Sequence, residues 1–314
     1  MATELKHTVK PSGGDYTTLA DAIAHLVASH ADLVSANLYA NIEIDGTWSS
    51  ADTTAVTIPA TILTSATCYL KIYTTAAARF NPHGPWDTGA YILQKSNGTT
   101  LINNCDYVWL DGLQIETASA GATRYVISMN NVNLTVTNNW FYISNCILKG
   151  HGHATYDCLL IKLDEDNANV YIWNTIGFNN TAAAGNYGVS VAGCAVVKIG
   201  SSTFIGGEYG IRKISGATPV AKNCYFGGAL TADYAGTITK TTCASSDSTG
   251  STGLQGILVS ETADSTHAGF VSIGAGTEDY HIKVGSPLIG VGTDTSGDAA
   301  PMDFTTDIDG DART

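Results

Sequence analysis

The sequence predicts an all-β solenoid, a coil of short parallel strands with a helix covering its first turn. Two observations carry that prediction. One family of strand-like segments reads WLDGLQI (109–115), YISNCIL (142–148), YIWNTIGF (171–178), KIGSSTF (198–204) and VAKNCYF (220–226). It aligns on Leu110, Ile143, Ile172, Ile199 and Ala221, with steps of 33, 29, 27 and 22 residues. A second family, VISM (126–129), LIKL (160–163), GVSV (188–191) and GIRK (210–213), aligns on Ile127, Ile161, Val189 and Ile211, with steps of 34, 28 and 22. Two independent families that shorten together mark rungs of a repeat, each carrying at least two strands. Alternation at period two, with Gly and Asn at the ends, sets helical repeats aside.

Taken in order, the chain opens with a short strand at TVK (8–10), broken by PSGGD. The stretch TLADAIAHLVASH then places Leu19, Ala22, Ile23, Leu26 and Val27 at helical spacing, with Thr18 as N-cap and Asp21 three residues on. Strands follow at NIEI (41–44), AVTI (55–58), YLKIYT (69–74) and YILQ (91–94), punctuated by Gly, Pro, Asn and Thr. The repeats take over near residue 105. Inward residues of one rung gain their core only from equivalents above and below, about 4.8 Å away. Tyr-Gly pairs at 187–188 and 209–210 lie one rung apart by this alignment. Asn145, Asn174 and Asn223 fall in register, and Asn tolerates the left-handed backbone that a corner needs. CASSDSTGSTG (243–253) reads as a polar loop. The organisation expected is one continuous domain: strand and capping helix over 1–40, coils over 41–242, then loop, last coil and cap over 243–314. Raw strand edges at both ends need such caps.

Composition supports this reading. Apolar residues make up 44 % and charged residues 14 %, and Gly is abundant at 33 against 7 Pro. Lys and Arg number 15 against 28 Asp and Glu, a net charge of −13 that disfavours nucleic acid, anionic membrane and polyanionic ligands. No run of eighteen apolar residues suggests a membrane span, and the opening residues lack a secretory pattern. Seven cysteines without a C-x-x-C pair read as buried free thiols.

The opening TVKPSGGDYTTLADAI (8–23), with DYHIKVGSPLIGVGTD (279–294) and DIDGDAR (307–313), resembles the entry and closing segments of right-handed parallel β-helix proteins of the pectate lyase-like group. The opening also resembles β-helix proteins of tailed bacteriophages that serve as tail spikes, fibres or capsid-surface proteins. That resemblance implies a rigid structural or attachment protein on a virion surface, assembled in the host cytoplasm. Its expected partners are two further copies in a homotrimer, other virion proteins and a cell-surface polysaccharide. The pectate lyase-like group implies, as the alternative, an extracellular polysaccharide lyase or glycoside hydrolase.

GHGH (150–153) is similar to the Gly-His-Gly of polygalacturonases, which makes His151 and His153 candidates, but no Asn-Thr-Asp strand or Asp-Asp pair precedes them. VWLDG (108–112) touches a pectate lyase strand motif without the His that would follow Asp111. With Ile127, Ile161, Val189 and Ile211 inward, Ser128, Lys162, Ser190 and Arg212 form one outward column. Tyr156, Asp157, Tyr187, Glu208 and Tyr209 lie near it in sequence, and together they form a candidate glycan-binding face. Asp307, Asp309 and Asp311 alternate like the start of a calcium loop but lack its Gly position and distal Glu, so no cofactor is expected.

Overall fold

Residues 1–81, 86–118, 123–129, 139–151, 156–179, 184–274 and 277–305 are described by the computed structural model. They form a parallel β-helix with three strands per rung. The first sheet has nine strands: Thr3–Val9, Leu38–Ile44, Leu70–Thr74, Val108–Asp111, Trp140–Ser144, Asn169–Trp173, Val196–Gly200, Val220–Lys222 and Thr239–Thr241. The second runs in seven strands from Ile92–Lys95 through Gln114–Thr117, Ile147–Gly150, Ile176–Asn179, Thr203–Ile205 and Tyr225–Gly227 to Ala244–Ser245. The third has seven, from Val56–Ile58 through Leu101–Asn103, Arg124–Met129, Cys158–Leu163, Asn186–Val191 and Tyr209–Lys213 to Ala232–Ala235. All pairing within these sheets is parallel, and crossovers of that kind are right-handed almost without exception.

Both expected ladders are present in register. Ile143 pairs with Leu110 and Ile172, Ile172 with Ile199, and Ile199 with Ala221. Ile161 pairs with Ile127 and Val189, and Val189 with Ile211. These side chains are buried, each contributing about 1.5–3 kcal/mol on leaving water. Gly188 explains the repeated Tyr-Gly: a Cβ there would lie 2.3 Å from the Gly210 carbonyl oxygen, so the rungs stack too closely for a side chain.

Each segment of the first family is two strands rather than one, bent through a two-residue corner between the first and second sheets; WLDGLQI divides into Val108–Asp111 and Gln114–Thr117. Gly112, Asn145, Asn174, Ser201, Asn223 and Thr242 occupy the corner column, all left-handed with φ between 44° and 77°. The amides ladder as the sequence implied: Asn174 donates to Asn145 (3.3 Å), and Asn145 donates to Asp111 (2.7 Å). Because this corner is constant, the shrinking period resides in the loops at the other two corners.

The helix Leu19–His30 covers the first rung with Leu19, Ala22, Ile23 and Leu26 buried, and its Thr18 cap accepts from the Asp21 amide at 3.1 Å. The strand before it is longer than the sequence suggested, since all of Thr3–Val9 pairs with Leu38–Ile44. A short helix, Leu33–Ala36, follows.

At the far end, closure is shared. The polar stretch 243–253 folds onto the last rung: Ser246 and Asp247 amides donate to buried Asp233, the Asp233 amide donates to Asp247, and the Tyr234 amide donates to Thr249. Burial raises the Asp233 carboxyl, and the Ser246 hydroxyl and nearby amides oppose that rise. The chain beyond runs along the flank of the coil. Ile257, Ala268 and Phe270, with Tyr280, cover the outer surface of the second sheet at Ile147, Ile176, Phe178, Ile205 and Tyr225. Among the described residues no helix is long and apolar enough to cross a membrane.

Candidate functional site

The third-sheet column has the expected register: Lys162 lies between Ser128 and Ser190, and Ser190 pairs with Arg212. Tyr187 pairs with Tyr209 beside it. Their charges are directed back onto the face. Arg212 donates to the Tyr187 hydroxyl at 2.7 Å and its guanidinium lies 5.0 Å from the Tyr209 ring centre. Lys162 pairs with Asp164 at 3.2 Å and sits over Tyr125 at 5.0 Å. Glu208, in the corner loop, accepts from the Gly185 amide at 2.6 Å. Burial raises the Tyr187 phenol, Arg212 opposes this, and the charges of Glu208 and Asp157 add to it. Tyr156 and Asp157 are exposed on the preceding corner loop.

His151 lies apart from that group, at the end of Ile147–Gly150 in the second sheet, 2.7 Å from Glu116. Burial pushes the Glu116 carboxyl up, but bonds from His151 and Gln94, with the nearby Lys149 charge, hold it below the ordinary carboxylate range. Lys149 is itself buried against Glu278 (3.5 Å), Trp86 and Phe178, which fastens the C-terminal segment to the coil. Asp111 likewise belongs to the corner network, paired with Lys71 at 3.2 Å and bonded by Ser144. His153 and Asp307, Asp309 and Asp311 fall outside the described residues.

A richer face lies on the outside of the first sheet. One outward row reads Lys71, Trp109, Tyr142, Tyr171, Lys198 in strict register. Beside it on one side stand Tyr39, Tyr69, Tyr107 and Trp140, and on the other Tyr73 and Trp173. The rings touch continuously. Trp140 stacks on Tyr142 at 4.0 Å, Tyr39 on Tyr69 at 5.4 Å, and Trp109 meets both Tyr142 and Trp173 at 6.1 Å. Lys71 lies 3.7 Å over Trp109, and Lys198 lies over Tyr171. Burial raises the Tyr142 phenol to about 12 and raises the Tyr171 phenol as well, so both remain hydroxyl donors at neutral pH. The tail closes one end of the face: Phe304 stacks on Trp173, while Lys222 binds Asp298 at 2.7 Å and Asn223 binds the Thr293 carbonyl at 2.6 Å. The sequence signal for this face was the residue immediately before each inward anchor, Trp109, Tyr142 and Tyr171 before Leu110, Ile143 and Ile172.

Comparison with known proteins finds similarity among solved structures only. No family model matches the sequence, and no curated protein matches it. Among solved structures, it is similar to the pectin methylesterase from Aspergillus niger, at 13 % identity over 78 % of this chain and 83 % of that one, with a TM-score of 0.44. It is also similar to the pectate lyase Pel9A, at 12 % identity over 100 % of this chain and 97 % of that one, with a TM-score of 0.36.

Proposed function

We propose that this β-helix is a rigid carbohydrate-contacting protein, and that the outer face of the first sheet is its binding surface. The observation that carries the reading is the continuous, half-exposed aromatic row from Trp109 to Tyr171, flanked by Tyr39, Tyr69 and Trp140. Sugar rings present apolar C–H faces that stack on such rings, with polar edges for Tyr hydroxyls and Lys. Adjacent rungs repeat the platform every 4.8 Å or so, which suits an extended chain rather than a single sugar. The charge of −13, with Lys71 already paired to Asp111, favours a neutral glycan over a polyanion. Attachment or decoration at a bacteriophage surface, as a homotrimer among other virion proteins, extends this reading; the resemblance of residues 8–23 supports it.

The test is incubation with a panel of neutral and acidic polysaccharides, reading binding, reducing ends and unsaturated products together. Binding without product release is expected. Trp109→Ala and Tyr142→Ala should each weaken it by tenfold or more, about 1.4 kcal/mol, whereas Lys162→Ala with Arg212→Ala should leave it unchanged. Loss through the Lys162 and Arg212 changes instead would move the site to the third sheet. Robust product formation would replace the proposal with a depolymerase.

A further inference from the structure

The first position of the inward isoleucine column holds a histidine. His7 pairs with Ile42, which continues through Ile72 to Leu110, Ile143 and Ile172. His7 is 9 % exposed, and its Nε2 is buried without a hydrogen-bond partner. A buried polar atom at a position that later rungs give to isoleucine calls for a ligand. The capping helix supplies two more imidazoles there. His25 and His30 bring ring nitrogens to His7 such that all three ligand atoms lie within 4.8 Å of one another. The His30 Nδ1 is also buried and unpartnered. The His7 and His25 rings meet edge to face at 5.2 Å, and Tyr16 closes the side of the group against both.

We propose that His7, His25 and His30 form a transition-metal site of the zinc class that pins the capping helix to the first strand. Imidazole nitrogen suits zinc, and three protein nitrogens around a tetrahedral ion leave a fourth position for water. Zinc–nitrogen bonds of about 2.1 Å place tetrahedral ligands roughly 3.4 Å apart, so closure asks for little over an ångström of side-chain movement. The consequence is a metal-tightened lid on the exposed edge of the first rung, the end where unpaired strand groups invite association.

The test uses the full chain, stripped with a chelator and then titrated with zinc chloride or cobalt chloride. One ion per chain is expected, with a tetrahedral cobalt spectrum and a melting temperature raised by about 4 °C at hundredfold excess over Kd. His25→Gln and His30→Gln should abolish binding and the thermal shift while leaving the metal-free melting temperature within a degree or two. His7→Leu, which restores the apolar column, should abolish binding and melt no lower than the metal-free protein. Failure of the stripped protein to take up metal would overturn the site, as would binding that survives the His25→Gln or His30→Gln change.

Discussion

Asn174 offers a test of the corner in which the sign of an effect, not just its size, is at stake. It is buried, has φ of 49°, and donates to the Asn145 side chain at 3.3 Å. Replacement by Ala or by Gly removes the amide equally, leaving Asn145 short of a partner at about 1–3 kcal/mol. The two differ in backbone terms. A Cβ at left-handed φ costs about 1–2 kcal/mol, whereas Gly pays about 0.5–1 kcal/mol in unfolded-state entropy. Gly should therefore be the more stable replacement, by roughly 0.5–1 kcal/mol from the difference of those ranges. At Ser190, in the regular strand Asn186–Val191, the same pair should reverse, with Ala ahead by about 0.5–1 kcal/mol. Urea melts read this directly: with m of about 3 kcal/mol/M the midpoints should separate by roughly 0.2–0.3 M in opposite directions at the two sites. Ala equal to or better than Gly at 174 would refute the claim that the corner column selects residues by backbone conformation.

Two further outcomes follow from groups outside the proposed sites. Asp45 is held at about 2, below its ordinary 3.8, first by the bond from Lys10 and then by the Thr75 hydroxyl and the Gly46 amide. A depressed folded value means that its stabilisation is present above the unfolded value and is lost as pH falls through the folded one. The urea midpoint should therefore drop between about pH 4 and 2, and Asp45→Asn should shrink that drop by about 1 kcal/mol, discounted because the pair is partly solvated; an unchanged acid limb in the variant would contradict this. All seven cysteines are buried and unpaired by disulfides; burial raises Cys105, Cys146 and Cys194 to about 12, and although the bond with Cys224 lowers Cys243, that thiol too is closed off from solvent. Ellman's reagent should find no fast-reacting thiol in the folded chain and seven in guanidinium; a single fast native thiol would count against the buried assignment.

The sequence by itself determined the repeat, because each rung solves the same local problem. Ile143, Ile172 and Ile199 must alternate inward, and Asn145, Asn174 and Asn223 must turn the chain, so both patterns recur at a spacing visible without coordinates. Even the helix cap at Thr18 is a matter of three neighbouring residues. The count of strands per rung escaped that reading, since a two-residue bend at Gly112 and Leu113 leaves the apolar pattern on either side unbroken. Tertiary structure alone decided which outward rows become continuous faces and where the C-terminal segment lies. Lys149 meets Glu278 across 129 residues, and Phe304 reaches Trp173, contacts set by the lengths of loops and the shape they leave rather than by periodicity. His7 meets His25 and His30 for the same reason: a helix folded over the open end of a coil brings together side chains that no repeat relates.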